Sequence, residues 1–147
     1  MIEEDAKILR DKKVSLKEEK EWLKGLLQRI KKREEVYLLA KFDEEIVGTA
    51  AIKLGPHRQN HVGNFGISII DGYRGIGLGT HIMKEIIKLA KKELKPKPKI
   101  IKLTVFPRNK SALALYKKLG FRRVAKIPKQ FQYKGKLEDE IVMLLYL

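Results

Sequence analysis

The chain has 147 residues, 44% of them apolar, and a formal net charge of +15 from 33 Lys and Arg against 18 Asp and Glu. That length buries one sizeable core, so a single domain over 1–147 is expected, while the lack of cysteine and three scattered histidines exclude disulfides and the usual zinc sites. No apolar run reaches the roughly 20 residues of a membrane span and the amino terminus is charged rather than signal-like, so the expectation is a cytoplasmic, metal-independent protein.

The lysines are dispersed and alternate with glutamates in SLKEEKEWLKGLLQRIKKREE, the pattern of a solvated helix face rather than a nucleic-acid footprint. A Lys- and Glu-rich surface without cysteine also fits a thermophilic source. Ser15 followed by Glu18 has the capping-box form, and Leu16, Leu23, Leu26, Leu27 and Ile30 recur at helical spacing, which predicts an amphipathic helix. EVYLLAKFDEEIVGTAAIKLG reads as two strands joined by a polar turn at Asp43 to Glu45. The loop PHRQNH leads into a third strand, where Gly63 and Gly66 signal a bulge or a close backbone approach.

After DGYRGIGLG comes a helix with an apolar stripe of Ile82, Met83, Ile86, Ile87, Ala90 and Leu94, stopped by KPKPK. IIKLTVF is a strand, and NKSALALYKKLGF is a short helix with Asn109 as N-cap and Gly120 as its left-handed terminus. FRRVAKIPKQFQY and DEIVMLLYL close the chain as a strand pair. The strand, loop, helix, strand order from Ile67 to Phe106 demands a crossover, so the sheet is mixed and partly parallel.

The glycine loop has neither the Walker spacing GxxxxGK[ST] nor the dinucleotide spacing GxGxxG, which argues against nucleotide cofactors. Glycines between a strand end and a helix start let backbone N–H groups converge at the positive end of the helix dipole. That arrangement suits a pyrophosphate, with Arg74 adding a cation. The same glycines also suit a turn that merely permits tight strand-to-helix packing.

Paired with a second segment downstream, the loop becomes specific. RGIGLG resembles the R/Q-x-x-G-x-G/A signature of the GNAT acetyltransferase superfamily, and NKSALALYKKLGF, about thirty residues on, resembles that family's N-x-x-A-x-x-L-Y-x-x-x-G-F segment. The likeness runs from roughly Val36 to the carboxyl terminus, and in pattern it is nearest the ribosomal-protein and protein N-terminal acetyltransferases. It implies an α/β fold with a mixed central sheet flanked by helices, and acetyl-CoA as cofactor. It also implies that Ile67, Ser68 and Ile69 offer main-chain bonds to the pantetheine arm and thioester carbonyl, where backbone donors stabilise an oxyanion. Arg74, Gly75, Ile76, Gly77, Leu78, Gly79 and Thr80 would wrap the pyrophosphate, and Asn109 would contact the CoA arm besides capping its helix.

Tyr116 stands where many members carry a tyrosine that protonates the departing thiolate; its other reading is a core tyrosine on the stripe with Ala112 and Leu119. The family's usual carboxylate base has no counterpart, since Asn64 and Thr104 occupy those positions and no carboxylate lies between Glu45 and Asp71. His61, with an intrinsic pKa of about 6.5, is the nearest titratable candidate, and a water relay to Glu138, Asp139 and Glu140 is the other option, with Asp139 or Glu140 alternatively contacting substrate. Weak base equipment leans toward an α-amine of pKa about 8 over a lysine amine of about 10.4. The family's first strand also lacks a counterpart, because MIEEDAKILRDKK is short, charged and helix-like; a missing strand would leave a sheet edge and substrate wall for a homodimer or partner to cover. The expected activity is acetyl transfer from acetyl-CoA to a peptide N-terminus or small amine, against a non-catalytic CoA-binding or protein-interaction module on the same fold.

Overall fold

The structure, a computed structural model, describes residues 15–147. The predicted capping box opens helix α1 (Leu16–Lys31): the Ser15 hydroxyl accepts the Glu18 N–H at 3.2 Å, and the Glu18 carboxylate accepts the Ser15 N–H at 2.7 Å. The lead MIEEDAKILRDKK lies outside the described residues, among which no strand precedes α1.

Strands β1 (Glu35–Phe42) and β2 (Glu45–Leu54) form a hairpin whose two turn residues, Asp43 and Glu44, have φ of 45° and 71°. Two left-handed residues match the twist of the flanking strands, so the turn is tight. β3 (Val62–Ile69) runs antiparallel to β2 in continuous register. Gly63 is therefore a close approach and not a bulge: a Cβ there would sit 2.6 Å from Ile52 Cγ2. Helix α2 (Leu78–Glu93) returns the chain to β4 (Ile100–Val105), parallel to β3, and α3 (Lys110–Lys118) precedes the hairpin of β5 (Arg122–Tyr133) and β6 (Lys136–Tyr146). The sheet order β1-β2-β3-β4-β6-β5 is the mixed sheet that the crossover required.

Cross-strand partners share a face of the sheet. On one face Val36, Ile52, Ile101, Leu103 and Met143 pack against Ile82, Met83, Ile86 and Ala90 of α2, Leu94 just after it and Tyr116 of α3, which together form the core. The predicted α2 stripe is thus the core stripe, with Ile87 half-buried at its margin. α1 crosses the other face over β1, where Trp22 meets Tyr37 edge-on and Arg29 pairs with the otherwise buried Glu35 carboxylate. Only Leu26 of the predicted α1 stripe is buried; Leu16, Leu23, Leu27 and Ile30 stay exposed. On that second face Lys53, Asn64, Gly66, Ser68, Lys102 and Thr104 are exposed as well. Among the described residues no helix is long and apolar enough to cross a membrane, and no group of three His, Cys, Asp or Glu is placed to hold a metal.

Candidate active site

β3 and β4 pair only from Val62 to Asn64 against Ile100 to Lys102, then part. The gap is a cleft of about 510 Å³. Its lining includes Phe65, Ile67, Leu103 and Val105 from the helix-covered face, and Gly66, Ser68 and Thr104 from the exposed face. It is therefore a slot through the sheet. Ile70 donates its N–H to Val47, and Val62 accepts from Gly55, both across to β2. By strand alternation the main chains of Phe65, Ile67 and Ile69 then turn into the slot, while Ser68 bonds toward β2 and reaches the slot by its side chain.

At the slot's mouth the glycine loop separates into two roles. Gly72, Gly75 and Gly77 have φ of 88°, 76° and 84°, and a Cβ on any of them meets nothing within 4 Å, so these glycines are required by conformation and border open space. Gly79 is a packing glycine: a Cβ there would lie 3.2 Å from Leu115 and 3.4 Å from Ile69. α2 starts after Gly77 with no side-chain cap and no acidic residue in its first turn, which leaves its terminal N–H groups and positive dipole end open to an anion. Arg74 braces the loop, donating from Nε to the Ile69 carbonyl at 2.7 Å and pairing through a terminal nitrogen with Asp71 at 2.6 Å. Its contribution is loop geometry as much as charge.

Asn109 is the predicted N-cap and also borders the slot. Its side-chain oxygen caps α3 by accepting the Ala112 N–H at 3.4 Å. Tyr116 is buried in the core, edge-on to Phe65 with ring centroids 6.3 Å apart, and it also lines the slot. Burial pushes its phenol up to about 12, because the anion would lose its hydration. Tyr116 therefore holds its proton at neutral pH.

The family model described as acetyltransferase (GNAT) family matches residues 4–121. The chain belongs to the GNAT acetyltransferase family. Over 85 residues it is 34% identical to the L-amino acid N-acetyltransferase AaaT of Escherichia coli K12, a match covering 57% of this chain and about half (51%) of that relative's length. The fold of this GNAT chain superposes on a ribosomal-protein-alanine N-acetyltransferase from Brucella melitensis with a TM-score of 0.85, at 22% identity, covering 99% of this chain and 87% of that one. It superposes equally, TM-score 0.85 at 18% identity, on yncA from Salmonella typhimurium, solved with its cofactor acetyl-CoA, over 99% and 82% of the two chains.

GNAT enzymes use acetyl-CoA, and the residues here fit that group: an uncapped helix start beside open glycines for the phosphates, and a slot edged by unpaired main chain for the arm. Of the residues predicted to hold it, Ile67, Ser68, Ile69, Arg74, Gly75, Gly77, Gly79, Thr80 and Asn109 line the slot. Ile76 and Leu78 do not, and the Ile76 side chain is 69% exposed.

His61 is not brought to the site. It stands at the closed end of the β3–β4 pair, where its carbonyl accepts the N–H of Lys99 at 2.8 Å. Seven residues of strand, roughly 23 Å, separate it from Ser68. The acidic cluster divides. Asp139 accepts the Lys129 N–H at 3.0 Å and pairs with Lys126, which hold its carboxyl below the usual range. Glu138 pairs with Arg108, whose guanidinium lies 3.5 Å from the Tyr133 ring. Among the described residues Glu140 has no such partner; it lies one alternation from Val142, which faces Thr104, and so shares the exposed face beside the slot. Two lining residues, Phe106 and Phe131, carry no signal in the sequence that marks them for the site; they stack edge-on at 5.1 Å. Phe131 reaches the slot because β5 carries extra residues between Ile127 and Phe131, around Pro128 and a left-handed Lys129.

Proposed function

We propose that this chain is an N-acetyltransferase that moves the acetyl group of acetyl-CoA to a primary amine, a peptide N-terminus or a small α-amine, in the cytoplasm. The observation that carries the reading is the slot itself, where the unpaired main chain of β3 faces the protonated phenol of Tyr116. Bound acetyl-CoA supplies an activated acyl group and a thiolate leaving group. The Ile67 N–H, fixed by the strand, donates to the carbonyl oxygen where negative charge develops. Tyr116 Oη donates its proton to the departing sulfur; the walls that raise the phenol's pKa also desolvate that sulfur and raise its proton affinity. Glu140 takes the amine proton through water from the exposed face.

Among the described residues the slot's lining contains no Asp, Glu or His, and this favours a second reading, a CoA-binding module without turnover. Two measurements separate them. Acetyl-CoA at saturation is expected to raise the melting temperature by several degrees, and no shift would remove both readings. Release of free thiol above background with a panel of peptides and small amines is expected of the enzyme; a flat panel with the thermal shift intact would leave the module.

A further inference from the structure

The exposed face beside the slot carries a row of side chains fixed by register. Glu35, Lys53, Asn64, Lys102, Leu144 and Arg122 are successive cross-strand partners across all six strands. Glu35 is held by Arg29, so the row's outward charge is that of Lys53, Lys102 and Arg122. All three are exposed, and none of their side chains makes a hydrogen bond or ion pair among the described residues. Strands lie about 4.8 Å apart, which spaces these cations roughly 10 Å from one to the next. Lys102 is two residues from Thr104 on the same strand face, so the row runs about 7 Å from the slot's rim. At the opposite end of the slot the same face presents Glu140.

We infer that this row selects an acceptor of one kind: a peptide whose free α-amine enters the slot and whose second to fourth residues are acidic. The inference rests on the acetyltransferase reading and names its acceptor. The face is polar along the direction of approach. An ammonium at the slot's rim has Glu140 on its far side, and carboxylates two to three extended residues behind that rim, at about 3.3 Å per residue, reach Lys102 and then Lys53. The opposite orientation places carboxylates against Glu140 and the ammonium among lysines. An open face with cations spread over about 20 Å also suits an extended chain better than an enclosed small molecule.

The test is a fluorescence anisotropy titration of the full chain with labelled peptides bearing a free α-amine and either Glu or Gln at positions two to four. A fivefold to tenfold tighter Kd for the acidic peptide is expected, shrinking in 1 M salt, where the screening length falls to about 3 Å. Lys53→Glu/Lys102→Glu is expected to erase or reverse that preference. Lys88→Glu/Lys91→Glu, the same charge change on the outer side of α2, is expected to keep it. Equal affinities in the wild type, equal losses in both double variants, or tighter binding of a single-stranded RNA of matching charge would overturn the inference. Those outcomes leave the acetyl-CoA thermal shift and thiol release on neutral acceptors untouched, so this failure and a failure of the acetyltransferase reading are told apart.

Discussion

The two faces of the sheet use the same strands for opposite purposes. On the covered face every second residue of β4, and of β2 from Ala50 onward, is apolar and packed: Ala50, Ile52, Leu54, Ile101, Leu103 and Val105 are all buried. On the other face the intervening residues include Lys53, Lys102 and Thr104, and they are exposed. One side of the backbone is thereby packed and the other polar and open to solvent. The slot is where they meet, because only there do β3 and β4 release each other and open a path between the faces.

The first way to break this contrast is a core truncation. Ile86 is 0% exposed between α2 and the sheet. Ile86→Ala is expected to destabilise the fold by about 2–5 kcal/mol, the transfer loss plus a cavity that close-packed neighbours do not refill. Asn64→Ala on the exposed face is expected to change stability by less than about 0.5 kcal/mol. Urea denaturation of the pair checks both, and comparable losses would mean that the second face is also structural.

Tyr116 sharpens the contrast because it belongs to the covered face and serves the slot. Tyr116→Phe keeps the ring against Phe65 and removes only the hydroxyl. Turnover is expected to fall about a hundredfold, within the range for a lost general acid, while the acetyl-CoA thermal shift persists. Unchanged turnover would make Tyr116 a core residue alone. Its pKa also gives a stability signature. Between pH 10 and 12 the unfolded phenol ionises while the folded one, at about 12, keeps its proton, so stability falls as pH rises across that window. The fall amounts to roughly 3 kcal/mol, and in Tyr116→Phe that share of it is expected to vanish.

Legibility in the sequence divides along the same line. Local chemistry was readable: the Ser15–Glu18 capping box, the turn at Asp43 to Glu45, of which Glu45 proves to open β2, the glycine loop at the start of α2, and Asn109 and Gly120 bracketing α3 all depend on residues within a few positions of one another. Long-range register was not. Nothing local says that Glu35, Lys53, Asn64, Lys102 and Arg122 share a row, or that the extra β5 residues deliver Phe131 to the slot. His61 is near the glycine loop in sequence but one strand-length away in space, because an extended strand converts seven residues into its full distance. Arg74 was legible as a cation but not as a brace, since its partners are the Ile69 carbonyl and Asp71 within its own loop.

The smallest expected effect lies on the exposed face and depends on pH. An α-amine of pKa about 8 is only about one-tenth neutral at pH 7, so a carboxylate that collects its proton raises the rate by at most about tenfold there. Glu140→Gln is therefore expected to lower kcat/KM three- to tenfold at pH 7. At pH 9 the amine is mostly neutral without help, and the difference is expected to close. A lysine-type acceptor, with pKa about 10.4, remains protonated at pH 9 and would keep the gap open. The ratio of wild-type to variant rates at the two pH values thus reads both Glu140 and the acceptor's class: no gap at either pH excludes Glu140 as the proton's destination, and a gap constant with pH gives it the task of holding the amine in place.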